Sequence, residues 1–166
     1  MIVGIACKNG SGKSLFVDQF FFEHNLTTTV CTNEVNFHPE YTVNDIVHLF
    51  KGTGKFVNDL EYYRRYDIAS MMEKKAKFLS SGEMQKVKLY LAFSKPEQNL
   101  IFDEPTSFLN KDARALFFED LITFKTQHNI ILISHYKEDL EQVCDAIYNL
   151  DEDKERYEHD KLFDQV

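Results

Sequence analysis

Residues 7–14, CKNGSGKS, constrain what this chain can fold into more than any other stretch. They lie between MIVGIA, a short apolar and β-branched run, and SLFVDQFFFEH, whose apolar residues go around most of a helix and predict a buried one. Strand, glycine loop and helix in this order match the phosphate-binding pattern GxxxxGK[ST]. In such a loop, glycines let backbone N–H groups approach phosphate oxygens, and the helix start adds a field that favours negative charge. Gly10 and Gly12 supply the freedom, Lys13 is placed to reach the outer phosphates, and the Ser14 hydroxyl is placed to ligate a magnesium ion. Cys7 stands where the pattern opens on glycine, at some cost in backbone freedom. A thiol there is expected to lie beside bound phosphate and to be alkylated more slowly when nucleotide is present. Taken alone, the loop also fits a Gly-Ser turn that precedes a helix.

The remaining segments alternate between strand and helix. TTTVCT is a second β-prone run, NLIFD reads as a buried strand of continuous apolar type, IILIS as another buried strand, and AIYNL as the last strand. VNDIVHLF, VNDLEYYRRY and IASMMEKKAKF have helical spacing, with KGTG as a break between the first two. GEMQKVKLYLAFS reads as a helix stopped before Pro96. Residues 110–128 read as an amphipathic helix with Asn110 as N-cap and Ala113, Leu116, Phe117, Leu121 and Phe124 on one face. The expected fold class is α/β, a P-loop core with a mostly parallel sheet flanked by helices and a small inserted helical subdomain. Within one domain over 1–166, the core covers 1–34 and 79–150, the helical subdomain 35–78, and an acidic C-terminal tail 151–166.

Size and charge exclude several classes. A chain of 166 residues closes one core and is too short for two nucleotide modules in tandem. The net charge is −8, from 27 acidic and 19 basic residues, and the last 16 positions hold seven acids against three bases. That is not the basic footprint of a nucleic-acid binder, so no nucleic-acid partner is expected. Cys7, Cys31 and Cys144 show no CxxC spacing and no signal peptide precedes the first motif, which predicts a reduced, cytoplasmic protein. No apolar run approaches the roughly 18 residues of a membrane span, so membrane contact is expected only through a partner.

In NLIFDEP a buried strand leads into Asp103 and Glu104. A carboxylate at such a strand end can hold a magnesium ion through water, and the next can polarise an attacking water. Two acids after a strand, taken alone, are more often a solvated turn. They are accompanied, in order, by FLSSGEMQKV at 78–87, by TSFLN after the acids, and by ILISH; Gly82 and Asp103 stand 21 positions apart. With CKNGSGKS, this set resembles the ATP-binding cassette (ABC) ATPases, whose signature reads LSGGQ, over approximately residues 1–150.

The resemblance implies ATP and Mg2+ as cofactors. It implies that Asn9, Gly10, Ser11, Gly12, Lys13 and Ser14 form the phosphate loop, with Leu15 offering only its backbone N–H where the family often has a hydroxyl. It implies that Ser80, Ser81, Gly82 and Glu83, after Leu79, cap the γ-phosphate of ATP held by the opposite subunit. Asp103 with Ser14 matches the metal site, Glu104 the catalytic carboxylate, and His135 the histidine that senses the γ-phosphate. Residues 107–110 match the loop that crosses the dimer interface, with Asn110 where Asp is usual. Ser81 and Glu83 replace a glycine and a glutamine of the signature, which leaves Ser80 and Gly82 as the phosphate-facing pair. The family's metal-coordinating glutamine has no counterpart between Thr27 and Tyr41, and Asn33 is the nearest substitute.

By the same resemblance the chain is an ATP-hydrolysing subunit of an ABC transporter, acting at a composite interface with a second ABC subunit, the same chain or a different one. It would drive a separately encoded membrane-spanning subunit from the inner face of the membrane. The family's antiparallel strands ahead of the phosphate-loop strand, with the aromatic that stacks on adenine, have no counterpart before Met1. Weak binding by the isolated chain and poor discrimination between ATP and GTP are expected. Two alternatives stay open: a soluble ABC-type ATPase outside transport, and a P-loop kinase of small molecules, which leaves LSSGE unexplained. The aromatics between Phe37 and Tyr66 fit either the packing of a small helical subdomain or a docking groove. Lys74, Lys75 and Lys77 are expected on a solvated helix face.

Overall fold

The computed structural model describes residues 1–150 apart from 9, 11, 25, 26, 54, 55, 57–59 and 96. Asn9 and Ser11 of the expected phosphate loop, and the acidic tail at 151–166, lie outside the described residues. Strands β1 (Ile2–Ala6), β2 (Thr28–Thr32), β3 (Asn99–Asp103), β4 (Asn129–Ser134) and β5 (Ala146–Asn149) form one sheet in the order β2-β3-β4-β1-β5. β1 pairs in parallel with both β4 and β5, and β3 pairs in parallel with β4. The expected parallel α/β architecture is the one observed. The three strands of continuous apolar sequence, β1, β3 and β4, are the inner ones of this sheet and are almost fully buried, whereas β5 lies at its edge and is only partly buried.

The chain divides into two compact units. The first comprises Met1–Val30, Glu97–Glu104 and the chain from Phe117 on. Its core joins Val3, Ile5 and Cys7 to Phe16, Val17 and Phe20 of helix α1 (Lys13–His24), and to Ile101, Ile131, Ile133 and Leu150. Helix α1 is not buried all round as its sequence predicts. Leu15 is 71% exposed and Phe22 83%, so one side faces the core and the other solvent. Cys7 is also buried in this core and lies close enough to Lys13 to act on its charge.

Helix α5 (Lys111–Phe124) stops four residues short of its expected end. From Phe117 its buried side meets β3 through an edge-to-face contact of Phe102 with Phe117, at 5.3 Å between ring centroids. Helix α6 (Lys137–Val143), not expected from the sequence, buries Asp139, Leu140 and Val143 and leads to Cys144 at the back of β1.

The second unit comprises Cys31–Pro96 and Pro105–Leu116. Helix α2 (Val43–Gly52) opens on a capping box in which Thr42 and Asp45 satisfy each other's orphan backbone N–H groups. Helix α3 (Leu60–Arg65) follows. The stretch IASMMEKKAKF does not form the expected helix but two 3-10 turns, Ile68–Met71 and Ala76–Phe78, separated by a bridge between Thr42 and Lys75. Asp67, in the left-handed region at φ 53°, breaks the helical path just before them.

Helix α4 (Ser81–Phe93) is the spine of this unit. Phe93 stacks on Tyr62 and Tyr66, at 5.2 and 6.1 Å, and Tyr90 meets Phe56 and Tyr63 edge-on. Of the two uses open to the aromatics, these residues take the packing one. Lys74, Lys75 and Lys77 are solvated as expected, but on the bridge and 3-10 turn before α4 rather than on a helix face, where Lys74 pairs with Glu83, and Lys75 and Lys77 share Glu40.

Candidate functional site

In the first unit β1 delivers the chain into the glycine loop. Gly10 and Gly12 have φ of 85° and 96°, a region that side chains avoid, and a Cβ on either would meet nothing within 4 Å. The loop is therefore held open by conformation, not crowded by neighbours. The Phe16 N–H donates to the Gly12 carbonyl at 3.0 Å, which starts the first turn of α1 and leaves Lys13 and Ser14 at its N-terminus.

Lys13 Nζ donates to Glu104 Oε1 at 3.1 Å. Burial pulls the Lys13 pKa down, but the hydrogen bond and charge of Glu104, with smaller contributions from Cys7 and Asp103, outweigh it and leave the pKa raised. The side chain is held as a cation at the mouth of the loop. Glu104 itself sits at φ 51°, a left-handed conformation that costs a non-glycine residue about 1–3 kcal/mol and tends to occur at functional sites. Its N–H donates to the Ile133 carbonyl at 3.0 Å, extending the β3–β4 ladder by one rung. The turn aims the carboxylate back across the strand ends.

There the His135 N–H donates to Oε1 at 3.0 Å, and His135 Nδ1 lies 2.7 Å from Oε2. An ionised carboxylate only accepts, so Nδ1 carries the proton and Nε2 faces away from Glu104. Both oxygens of Glu104 are thus held by groups from two different segments. The expected residues Lys13, Glu104 and His135 meet as one cluster, and Asp103, the last residue of β3, is close enough to add to the charge felt by Lys13.

The donor set fits a magnesium nucleotide. A hydroxyl at Ser14 and a carboxylate at Asp103 are oxygen ligands of the kind a hard cation takes, with phosphate and water filling the other positions. The open glycine loop, the helix start and the cationic Lys13 suit the phosphates.

The second unit carries the signature-like residues. Ser80 is the N-cap of α4: its hydroxyl accepts the Glu83 N–H at 3.2 Å, while Glu83 Oε2 accepts the Ser80 N–H at 2.9 Å. Any phosphate role for Ser80 therefore shares its hydroxyl with the cap. The hydrogen bond from Lys74 at 2.6 Å, then those from the Ser80 backbone and hydroxyl, hold the Glu83 pKa down at about 2. Ser81 is exposed on the first turn. Gly82 has the Phe108 carbonyl 3.0 Å from where a Cβ would be, so its small size lets the loop 107–110 pack on the helix start. Asn110 caps α5 as expected, its Oδ1 accepting the Ala113 N–H at 2.9 Å.

Two polar residues of α4 escaped the sequence reading. Gln85 is buried and donates to the Pro105 carbonyl at 3.0 Å, and Lys88 is buried and donates to the carbonyls of Thr32 and Asn33, each at 3.2 Å. The available signal was a lysine inside VKLYLAF, a run otherwise suited to burial.

A parallel sheet whose first strand runs into an open glycine loop and a helix start, with a lysine and two acids at the strand ends, defines a nucleotide-binding fold of the P-loop class. No family model matches the chain. Among curated proteins it is 29% identical over 146 residues to a zinc import ATP-binding protein of Buchnera aphidicola, covering 76% of this chain and 59% of the relative. It is 30% identical over 122 residues to a Nod factor export ATP-binding protein of Rhizobium etli, covering 68% of this chain and 38% of the relative. Among solved structures, the ATP-binding subunit of an ABC transporter aligns over 89% of this chain and 73% of its own, with a TM-score of 0.78 and 18% identity. An RNase-L inhibitor aligns over 89% of this chain and 31% of its own, with a TM-score of 0.72 and 17% identity. This chain belongs to the ATP-binding cassette ATPases. It spans 59% and 38% of the two curated relatives.

Proposed function

We propose that the chain is the ATP-binding and ATP-hydrolysing subunit of an ABC transporter, working at an interface between two such subunits and driving a separate membrane-spanning subunit. The observation that carries this reading is the cluster of Lys13, Glu104 and His135 at the strand ends, next to an open glycine loop. The names of the import and export relatives support the transport role. Among the described residues no helix is long and apolar enough to cross a membrane, which accords with a membrane partner.

In this reading the loop amides from residue 9 to 14 hold the triphosphate and Lys13 takes its outer charge. Ser14 and Asp103 would hold Mg2+, and the ion would supply charge neutralisation at the reacting phosphate. Glu104, released by Lys13 when phosphate takes the ammonium, orients and accepts a proton from the attacking water. His135 keeps its Nδ1–H on Glu104 and, when Nε2 is protonated as well, donates from that nitrogen to the γ-phosphate. Ser80 and Gly82 of the opposing subunit close the site. All of these residues fall in the core at 1–34 and 79–150, and none in the helical subdomain at 35–78.

The test is phosphate release from ATP by the whole chain and by Lys13→Ala and Glu104→Gln. Losing a hydrogen bond to a charged group costs about 1.5–3 kcal/mol, so Lys13→Ala should weaken ATP binding roughly ten- to a hundredfold. Glu104→Gln should bind ATP yet release phosphate at least about a hundredfold more slowly. Transfer of phosphate to a small acceptor in place of water would instead make the chain a kinase.

A further inference from the structure

The imidazole of His135 is held at one nitrogen by Glu104, and a hydrogen bond at a single point leaves a ring free to swing about that point. Solvent reaches this ring, since the His135 side chain is 39% exposed where that of Glu104 is 11% exposed. A second hold comes from the next residue. The Tyr136 ring lies against the imidazole, with ring centroids 3.8 Å apart and the planes tilted by 41°.

Tyr136 is 43% exposed, yet its backbone is tied on both sides. Its N–H donates to Ser134 Oγ at 3.0 Å, and Ser134, the last residue of β4, is buried. Its carbonyl accepts the Asp139 N–H at 3.1 Å in the first turn of α6. The ring therefore stands on a base fixed to the sheet at one end and to a helix at the other. A point contact at Nδ1 and a flat contact on the ring face together set the plane of the imidazole, and so the direction of Nε2. They also set the tautomer, because the hydrogen bond that persists decides which nitrogen keeps the proton.

We propose that Tyr136 is a positioning residue whose ring, lying against the imidazole of His135, holds its plane so that Nδ1–H stays on Glu104 and Nε2 keeps one direction. On the reading of His135 given above, on which this rests, that direction serves the γ-phosphate of bound ATP. Tyr136 acts through His135 and does not touch the nucleotide. Glu104, Ser134, His135 and Tyr136 all belong to the first compact unit.

The experiment uses the whole chain, isotope-labelled for NMR and free of nucleotide, at about pH 8, above the ordinary imidazole pKa of about 6.5. Long-range proton–nitrogen correlation of the imidazole rings reports which nitrogen carries the proton, and His135→Gln identifies the His135 signals by their loss. The natural chain should show His135 protonated at Nδ1. Aromatic pairs shift an equilibrium by about two- to tenfold, so Tyr136→Ala should raise the share of the Nε2–H form by about that factor. Tyr136→Phe, which keeps the ring, should restore the natural spectrum. Should Tyr136→Ala not fold, Tyr136→Leu, which has no flat face, should show the same shift. In ATP turnover Tyr136→Ala should lower kcat about two- to tenfold with KM within about twofold, and add nothing to the loss caused by His135→Gln.

An unchanged tautomer ratio in the ring-less variant, or a natural chain without the Nδ1–H form, overturns the proposal. A loss in Tyr136→Phe equal to that in Tyr136→Ala also overturns it, since the hydroxyl and not the ring face would then act. A shifted tautomer with unchanged kcat upholds the hold on the ring and overturns the γ-phosphate role of His135. Absence of phosphate release by the natural chain overturns the ATPase reading alone, and the tautomer ratio still decides on Tyr136.

Discussion

Glu104 holds its carboxylate from a backbone conformation that most residues avoid, and three donors keep it there: Lys13 Nζ, the His135 N–H and the His135 ring. The strain and the contacts belong together, since a glycine would take this φ at no cost but bring no acid. A second residue-scale constraint lies behind the same strand. A Cβ on Gly4 would fall 2.8 Å from Cys144 Sγ and 3.3 Å from Ile147 Cγ1. Gly4→Ala should therefore destabilise the fold by about 1–3 kcal/mol, as overpacking does, in urea unfolding. Cys144→Ala in the same chain should recover part of that loss, because it removes the nearest atom. Full additivity of the two changes would show that the strain falls on Ile147 or the backbone instead.

At the scale of elements, α4 shows one short sequence meeting two demands. SSGE is the stretch that resembles the family signature, and its S-x-x-E spacing also spells the capping box that the structure contains. Ser80→Ala should cost about 0.5–2 kcal/mol of stability through the lost cap, before any effect on nucleotide. The Glu83 pKa, held at about 2 against an ordinary 4.5 chiefly by Lys74 and then by the Ser80 N–H, gives this cap a pH dependence. A depressed carboxyl pKa contributes stability above the unfolded value and loses it as pH falls toward the folded one. The stability gap between the natural chain and Glu83→Gln should therefore shrink as pH falls from about 4.5 to about 2. A gap that is constant over that range would remove the ionic part of the cap. Exposure to solvent keeps its size small.

At the scale of the molecule, the proposed site needs a second subunit to donate Ser80 and Gly82. Glu104→Gln, which binds ATP without consuming it, should shift from monomer to dimer mass in solution when MgATP is added. A mass that stays monomeric while ATP is shown to bind would assign closure of the site to a different partner chain.

Much of this was legible in the order of residues. The strands, the glycine loop, the caps at Asn110 and the run into Asp103 and Glu104 depend on local chemistry: β-branching, glycine at positive φ, a side-chain oxygen before a helix. These are properties of a few adjacent residues and survive without knowledge of the fold. The two 3-10 turns in IASMMEKKAKF and the exposed side of α1 were not legible, because helical spacing and apolar content describe what a segment can bury, not what is there to bury it. The meeting of Lys13 with Glu104, 91 positions apart, and of Glu104 with His135, 31 apart, was decided by tertiary structure. Parallel pairing of β3 with β4 and of β4 with β1 sets the three strand ends side by side, and only that register brings an ammonium, a carboxylate and an imidazole within hydrogen-bond reach.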